Sequence, residues 1–213
     1  MDILRRAFDN KILVPIDGYN FIINPFTEQI PATSAELLRE AARRVLAIGD
    51  IEQASKIVGE EDKGGILVAA TSLLSELPFG MARWYPSGLE GQIEIPFTCE
   101  YTGGRLYLNG VCRGDRVFIV DDIISTGGTL VALIQAVQKA GAQVVDIVCV
   151  VEKIEYGGVA RVREETGHIV KSVLKVSVTG KRSVVLSALS EGEYGGNNGR
   201  ESDTRYRYAA RLY

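Results

Sequence analysis

Apolar residues along this chain form short unbroken runs, which alternate with stripes where an apolar residue recurs every three or four positions. Such runs predict strands and such stripes predict helices. Strands are predicted over residues 56–59, 77–83, 117–120 and 144–151, and helices over residues 33–48, 65–75 and from residue 126 to Gly141. Because strand and helix alternate from residue 56 to residue 151, the pattern predicts an α/β fold with a central parallel sheet flanked by helices.

Other parts of the chain depart from this alternation. Residues 12–15 and 19–24 predict two short strands around an Asp17-Gly18 turn, which would form a small hood. Thr33 and Glu36 form a capping-box pattern that predicts the start of the helix over residues 33–48. Four further runs predict a second hairpin and two late strands: residues 93–98, 105–108, 173–178 and 183–186.

The most informative stretch runs from Val117 to Thr129. Its first four residues are apolar, which is typical of a strand buried on both faces of a parallel sheet, and Asp121 and Asp122 stand at its end. The next five residues predict the turn into the following helix: Ser125, Thr126, Gly127, Gly128 and Thr129. Backbone N–H groups, hydroxyl donors and the positive end of the helix dipole would make this turn a phosphate site, since glycines let the backbone curl around an anion.

The two carboxylates add a second requirement to the ligand. Asp121 and Asp122 would repel a phosphate, so they suit neutral hydroxyls or a divalent cation. An Asp that caps an ordinary helix would explain one carboxylate, but neither the second one nor the paired glycines. The predicted ligand therefore carries a phosphate at one end and a diol beside it, as a phosphorylated sugar does.

A second strand-to-helix turn lies at residues 60–64 and contains three carboxylates and Lys63. Local chemistry leaves two interpretations open. The turn is either a solvated acidic turn, or a place where backbone N–H groups and one cation meet an anion, with acids that could recruit Mg²⁺. In either case both turns lie at the carboxyl ends of parallel strands, where such sheets bind ligands.

Composition narrows the class of protein. With 213 residues, 46% of them hydrophobic, the chain is long enough for one globular domain and an appendage. The net charge of −3 gives no overall basic footprint for nucleic acid, and no apolar run is long enough to span a membrane. No leader peptide is recognisable, so we expect a cytoplasmic protein. His168 reads as a surface residue, and the three cysteines as reduced thiols.

The composition shifts from residue 187 onward to glycine, asparagine, arginine and tyrosine. Arginine interleaved with tyrosine could stack on bases, but four arginines at the end of an acidic chain are a weak indication of nucleic-acid binding. We therefore expect residues 187–213 to form a flexible tail, or one that docks on a partner subunit.

Residues 117–129 resemble the phosphoribosyl diphosphate (PRPP) signature of the type I phosphoribosyltransferases. The resemblance implies that Asp121 and Asp122 hold the ribose hydroxyls and that residues 125–129 hold the 5-phosphate. It also implies that Lys63 and Arg83 bind the diphosphate, and that Mg²⁺ is a cofactor which Asp121 and Asp122 reach directly or through water. Members of the family are typically homodimers, so a homodimer is expected here.

Further stretches resemble the purine branch of this family, the adenine enzymes and the archaeal hypoxanthine/guanine enzymes. They include residues 77–83, 100–110 and 114–117 and extend the resemblance over roughly residues 10–186. This predicts a phosphoribosyltransferase domain over residues 1–186, with a hood from about residues 10–32 and the 84–105 loop, and the tail at residues 187–213. The substrates implied are PRPP and adenine or hypoxanthine/guanine, with pyrophosphate and a nucleoside monophosphate as products.

Two features leave the base undecided. The adenine enzymes carry a Glu-Tyr pair at the hood loop, which makes Glu100 a candidate catalytic residue and Tyr101 a candidate base-binding one, although Glu100 could equally be an exposed hairpin carboxylate. After Arg83 the family usually has a lysine, whereas this chain has Trp84 and Tyr85. These two aromatic side chains would either stack on the base or pack under the hood. The alternatives are a transferase for a non-purine heterocycle and a regulator that senses PRPP without turnover.

Overall fold

The computed structural model describes residues 2–98 and 103–188. Within these residues the chain forms five α-helices, an eight-stranded sheet and a separate two-stranded sheet. The helices are α1 Ile3–Phe8, α2 Ala35–Ile48, α3 Gly65–Ser75, α4 Gly128–Lys139 and α5 Gly158–Thr166. The strands are β1 Leu13–Ile16, β2 Tyr19–Ile22, β3 Lys56–Glu60, β4 Phe79–Arg83, β5 Ile93–Thr98, β6 Gly103–Asn109, β7 Arg116–Ile124, β8 Gln143–Lys153, β9 Lys171–Ser177 and β10 Val184–Ala188. Two short 3-10 helices span Ile51–Gln53 and Ile154–Tyr156.

The order of strands in the large sheet is β10-β9-β8-β7-β3-β4-β6-β5. The five strands from β9 to β4 pair in parallel, whereas β10 pairs antiparallel with β9 at one edge and the β5–β6 hairpin pairs antiparallel with β4 at the other. The predicted α/β fold is confirmed. Antiparallel strands extend the predicted parallel sheet at both edges.

Helices cover both faces of this sheet, and the alternation along β7 shows how. Phe118 and Val120 pack in the core that α1, α2 and α3 share, while Val117 and Ile119 pack in the core under α4 and α5. All four side chains are fully buried. An unbroken apolar run is therefore required here, because successive side chains of a strand point to opposite faces of the sheet.

The strand that carries the acidic pair is longer than predicted. β7 continues through Asp121 and Asp122 to Ile124, because its ladder with β8 extends as far as the pair Ile124 and Glu152. The turn that follows is correspondingly short, and α4 begins at Gly128. The prediction that the strand ends at residue 120 is therefore wrong, since the ladder outweighs the low strand propensity of aspartate.

The start of α2 also differs from the prediction. Ser34 is the N-cap residue, and its hydroxyl accepts a hydrogen bond from the N–H of Leu37 at 3.1 Å. Thr33, the predicted cap, instead donates its hydroxyl to the carbonyl of Pro25 at 2.7 Å. The capping box at Thr33 and Glu36 is thus wrong by one position, because Thr33 is used to close the segment before the helix.

The two-stranded sheet is the predicted hairpin of the hood. β1 and β2 pair antiparallel around Asp17 and Gly18, whose φ angles of +50° and +85° are those of a tight hairpin turn. The hairpin is anchored to the far end of the chain. The N–H of Asn10 donates to the carbonyl of Ser183 at 2.9 Å, and the side chain of Asn20 donates to the carbonyl of Val178 at 2.7 Å.

Several predictions fall outside the described residues. They concern Glu100, Tyr101 and the tail from residue 189 onward. In the part of the chain that the structure describes, no helix is long and apolar enough to cross a membrane.

Candidate active site

A cleft opens where β7 extends beyond β3. The two strands are paired only as far as Val58 and Ile119, so the last residues of β7 line a gap. The empty space in this gap, including the part that is open to solvent, is about 670 Å³. The lining residues are Phe21, Ile22, Thr27 and Glu28 from the hood, Glu60 and Lys63 from the turn after β3, every residue from Asp121 to Leu130, and Lys153 from β8.

The phosphate loop, residues 125–129, forms one end of the cleft. Gly127 is the N-cap of α4, with φ at +78°, and no side chain caps the helix there. A Cβ at Gly127 would lie 2.6 Å from the carbonyl oxygen of Gly158, and one at Gly128 would lie 1.7 Å from that of Thr98. Glycine is therefore required at both positions, and the N-terminal N–H groups of α4 are presented to an anion.

Arg161 supports this loop from α5. Its guanidinium donates to the carbonyl of Thr126 at 3.3 Å and pairs with Glu165 at 2.6 Å. A guanidinium that is itself paired with Glu165 thus holds the backbone of the loop in place.

Asp121 and Asp122 form the floor of the cleft, and both are buried. The side chain of Asp121 accepts a hydrogen bond from the N–H of Asp122 at 3.0 Å. Burial raises the pKa of Asp121 well above its ordinary value, and the charges of Asp122 and Glu60 add to this effect. Burial also raises the pKa of Asp122, although nearby Lys63 opposes the rise. Because burial is the main cause of both shifts, a cation or a diol that reaches the pair would favour its charged form.

The turn after β3, residues 60–64, lies at the start of α3 beside this pair. A Cβ at Gly64 would lie 3.1 Å from a carboxylate oxygen of Asp121, so the turn backbone passes close to the acidic floor. Lys63 extends from the turn toward the hood, where its ammonium pairs with Glu28 at 2.5 Å and lies 5.4 Å from the centre of the Phe21 ring. The turn and the hood are thus joined across the cleft by an ion pair.

Lys153 ends β8 inside the cleft and is almost fully buried. Its ammonium lies 4.9 Å from the centre of the Phe21 ring and 5.5 Å from that of Tyr156. The hydroxyl of Tyr156 in turn accepts a hydrogen bond from the N–H of Asn20 at 2.7 Å. A buried ammonium between two aromatic faces is a directed donor for a flat, polar ligand under the hood.

A family model described as a phosphoribosyl transferase domain matches residues 62–177, which contain the acidic pair, the phosphate loop and Lys153. The chain belongs to the phosphoribosyltransferase family.

Individual relatives agree with this assignment. The chain is 41% identical over 184 residues to the hypoxanthine/guanine phosphoribosyltransferase of Methanocaldococcus jannaschii, with 86% of this chain and 100% of the relative covered. It is 40% identical over 186 residues to the protein of the same name from Methanothermococcus okinawensis, with 87% of this chain and 100% of the relative covered. The structure is also similar to that of adenine phosphoribosyltransferase from Rhodothermus marinus, with a TM-score of 0.66 and 28% identity over 81% of this chain and 96% of that one. The chain therefore lies in the purine branch of the type I enzymes.

Three candidate residues of this phosphoribosyltransferase lie outside the lining of the cleft. The nearest side-chain nitrogen of Arg83 is 3.9 Å from the carboxylate of Glu61, and Tyr85 is more than half exposed. Trp84 donates its indole N–H to Glu60 and packs edge-on against Phe97, with ring centres 5.0 Å apart. Of the two interpretations offered for Trp84, the geometry favours packing in the protein over stacking on a base.

Sequence reasoning did not single out Phe21, Glu28 or Lys153, which line the cleft of this phosphoribosyltransferase, and it considered Glu60 only as one acid of the turn at residues 60–64. For Lys153 a signal was present, because a charged residue directly after an apolar strand that neighbours the signature strand stands at the ligand edge of the sheet. For Glu28 no local pattern exists. It reaches the cleft only because the hood folds over the sheet.

Proposed function

We propose that the protein transfers the 5-phosphoribosyl group of PRPP to a 6-oxopurine, hypoxanthine or guanine, and releases pyrophosphate. The observation that carries this proposal is the grouping of the phosphate loop, the buried acidic pair and Lys63 around one cleft. These groups match the parts of PRPP in order: the 5-phosphate, the ribose hydroxyls and the diphosphate.

Each group has a role that follows from its chemistry. N–H groups at the start of α4 bind the 5-phosphate and thereby fix the sugar. Asp121 and Asp122 accept hydrogen bonds from the ribose hydroxyls and so orient C1 toward the base. Lys63 leaves Glu28 and donates to the diphosphate, on which negative charge grows as the bond from C1 to oxygen breaks and the bond to the base nitrogen forms. Positioning and preorganised charge provide the acceleration, without a covalent intermediate.

A magnesium ion fits these residues when the substrate completes its coordination. Asp121 and Asp122 offer the carboxylate oxygens that Mg²⁺ prefers, and their pKa values are raised mainly by burial, an effect that a bound cation would offset. Among the described residues, no group of three or more His, Cys, Asp or Glu side chains could hold a metal ion by itself. Mg²⁺ is commonly held by one or two carboxylates together with water and phosphate oxygens. The bound ion would supply positive charge to the departing diphosphate.

Lys153 favours a base with an oxygen at position 6. Its ammonium has three donors and no acceptor, so it can bond to the carbonyl oxygen of hypoxanthine or guanine, whereas adenine presents an amino group there. The names of the relatives from M. jannaschii and M. okinawensis agree with this choice. Adenine remains the second candidate, because Glu100 and Tyr101 match the pair of the adenine enzymes.

The test measures pyrophosphate release from PRPP and Mg²⁺ with hypoxanthine, guanine, adenine, xanthine, uracil and orotate, each supplied separately. We expect turnover with hypoxanthine or guanine. Turnover with adenine alone would move the assignment to the second candidate, and turnover with uracil or orotate alone would indicate a non-purine acceptor. No turnover with any base, while PRPP still binds, would refute transfer and support a PRPP-sensing regulator.

Replacing Lys153 by Met tests its role in base choice within one variant. The change removes the donor and keeps most of the buried stem, so kcat/KM for hypoxanthine should fall by at least about ten-fold relative to kcat/KM for adenine. Because both bases are measured on the same protein, a general loss of folding cancels in the ratio. An unchanged ratio would contradict the proposed contact.

We further propose that the enzyme works as a homodimer. Leu73 on α3 is 77% exposed and Phe79 at the start of β4 is 46% exposed, and burial of these apolar side chains against a second copy would favour association. Light scattering coupled to size-exclusion chromatography should give twice the chain mass. A monomeric mass at micromolar concentration would refute the proposal.

A further inference from the structure

Two carboxylates lie beside the place where the diphosphate would bind. Glu60 ends β3 and is only 6% exposed, and Glu61 follows it in the turn after β3. Lys63 is the cation of the same turn, and Asp121 and Asp122 are the acids of the cleft floor. A diphosphate brings several negative charges into this space, so an acid that is able to turn toward it would oppose binding.

Trp84 holds both carboxylates. Its indole N–H donates to a side-chain oxygen of Glu60, and its backbone N–H donates to the carboxylate of Glu61 at 2.9 Å. The N–H of Asp62 donates to the same oxygen of Glu60 at 3.0 Å. Glu61 is tied a second time, because its own N–H donates to the carbonyl of Ala82 at 3.0 Å. The turn after β3 is thus fastened to the end of β4 mainly through one aromatic residue.

The indole itself has a fixed direction. Its ring meets that of Phe97 at 90°, with 5.0 Å between the ring centres, and Phe97, on β5, is buried in the core under α4 and α5. Such an edge-to-face contact fixes both the position of the indole and the orientation of its plane. The donor therefore points at Glu60 because of packing in the core.

We propose that Trp84 is a positioning residue for the diphosphate site, whose indole N–H keeps the carboxylate of Glu60 at the wall of the cleft and out of the path of the diphosphate. The inference rests on the proposed function. A lysine at this position would favour the diphosphate by its own charge, whereas the tryptophan favours it by restraining an opposing charge. Burial raises the pKa of Glu60 to about 7, and the bond from Trp84 acts against that rise.

Four variants test the proposal. Trp84→Phe keeps a ring against Phe97 and removes the indole donor, whereas Glu60→Gln removes the charge and keeps the shape. The third is the double variant. Glu90→Gln is the matched control, because Glu90 is an exposed acid in the same connecting segment. Binding of magnesium pyrophosphate and of ribose 5-phosphate is measured by calorimetry for each protein at about pH 8.5, above the pKa of Glu60, so that its carboxylate is charged; the measurement needs no turnover.

We expect Trp84→Phe to weaken magnesium pyrophosphate binding about ten-fold, the size of effect expected for one hydrogen bond to a charged group. Ribose 5-phosphate binding should stay the same, since it uses the phosphate loop. The double variant should bind pyrophosphate within about three-fold of the wild type, because it lacks the carboxylate of Glu60 that the loss of the indole donor would otherwise set free. Equal losses for both ligands, or no rescue in the double variant, would indicate a merely structural role and overturn the proposal.

Glu60→Gln alone supplies a test that keeps the tryptophan. It should bind magnesium pyrophosphate at least as tightly as the wild type, and Glu90→Gln should match the wild type. A ten-fold loss in Glu60→Gln would show that the carboxylate binds the ligand or its metal directly, which contradicts the proposal. Wild-type protein that does not bind magnesium pyrophosphate would overturn the proposed function as well, whereas wild-type binding that Trp84→Phe retains would overturn this inference alone.

Trp84 also provides an optical readout, because it is the only tryptophan of the chain. Its emission should change when Glu60→Gln replaces the charge beside the indole, and this change should not occur in Glu90→Gln. Identical spectra for all three proteins would contradict the contact between the indole and Glu60.

Discussion

Glu60 makes the stability of the protein depend on pH in a way that can be calculated. Burial raises the pKa of its carboxyl from an ordinary value of 4.5 to about 7, the negative charges of Asp62 and Asp122 add to this rise, and the hydrogen bonds from Trp84 and Asp62 oppose it. Between these two pH values the folded protein keeps a proton that the unfolded chain has released. The stability contributed by this group is therefore fully present below pH 4.5 and is lost as the pH rises through 7.

Replacing Glu60 by Gln should remove this dependence. A pKa difference between 4.5 and 7 corresponds to about 3 kcal/mol, most of which develops between pH 5 and pH 8. The variant should therefore gain stability over the wild type with rising pH, by roughly 2 to 3 kcal/mol across this interval. For a chain of this size the difference in Tm should widen by roughly 5 to 10 °C.

The assay is thermal unfolding followed by circular dichroism at half-unit steps from pH 5 to pH 8, without magnesium or phosphate. Only the change with pH is compared, so a constant effect of the amide cancels. Glu90→Gln, an exposed acid, should follow the wild-type curve. If the Tm difference between Glu60→Gln and the wild type stays constant over the whole range, the carboxyl titrates normally and the reasoning from burial is refuted.

Three further substitutions have definite expected outcomes. Asp122→Asn should lower kcat at least about 100-fold while the Tm changes little, and near-normal turnover would overturn the assignment of the acidic pair. Gly128→Ala should destabilise the protein by about 1 to 3 kcal/mol and weaken PRPP binding, because a Cβ there would lie 1.7 Å from the carbonyl oxygen of Thr98. An unchanged denaturant midpoint would show that the phosphate loop and the end of β5 are not in contact. Glu28→Gln should lower the KM for PRPP about two- to five-fold by removing the partner that competes for Lys63, and a higher KM would mean that Glu28 serves the substrate.

Local patterns in the sequence predicted the elements that depend on local physics. The helix over residues 65–75 has the predicted bounds, and the hairpin turn falls at Asp17 and Gly18, where the backbone requires positive φ. The unbroken apolar run of the signature strand indicated burial on both faces, and helices cover both faces. Periodicity and turn chemistry are sufficient in such places because neighbours in sequence decide the outcome.

The remaining features depend on partners far away in the chain. β7 continues through two aspartates because β8 pairs with it, and the hood places Glu28 against Lys63, 35 positions further along the chain. Likewise, the indole of Trp84 meets Glu60 only after β3 and β4 have paired. No periodic signal records such contacts. A sequence pattern could therefore predict the phosphate loop and the acidic pair, but not the contacts that Glu28 and Trp84 make around them.

The anchoring of the hood has a consequence for the order in which the active site is completed during synthesis. The hood hairpin is held by the strand region at the other end of the domain: Leu13 donates its N–H to the carbonyl of Lys181, and Ser183 donates to that of Lys11. A ribosome exposes the signature strand and the phosphate loop well before these anchors. Until residues 181–183 emerge, the acidic floor has no hood above it, so a nascent chain would complete the cleft only at this stage.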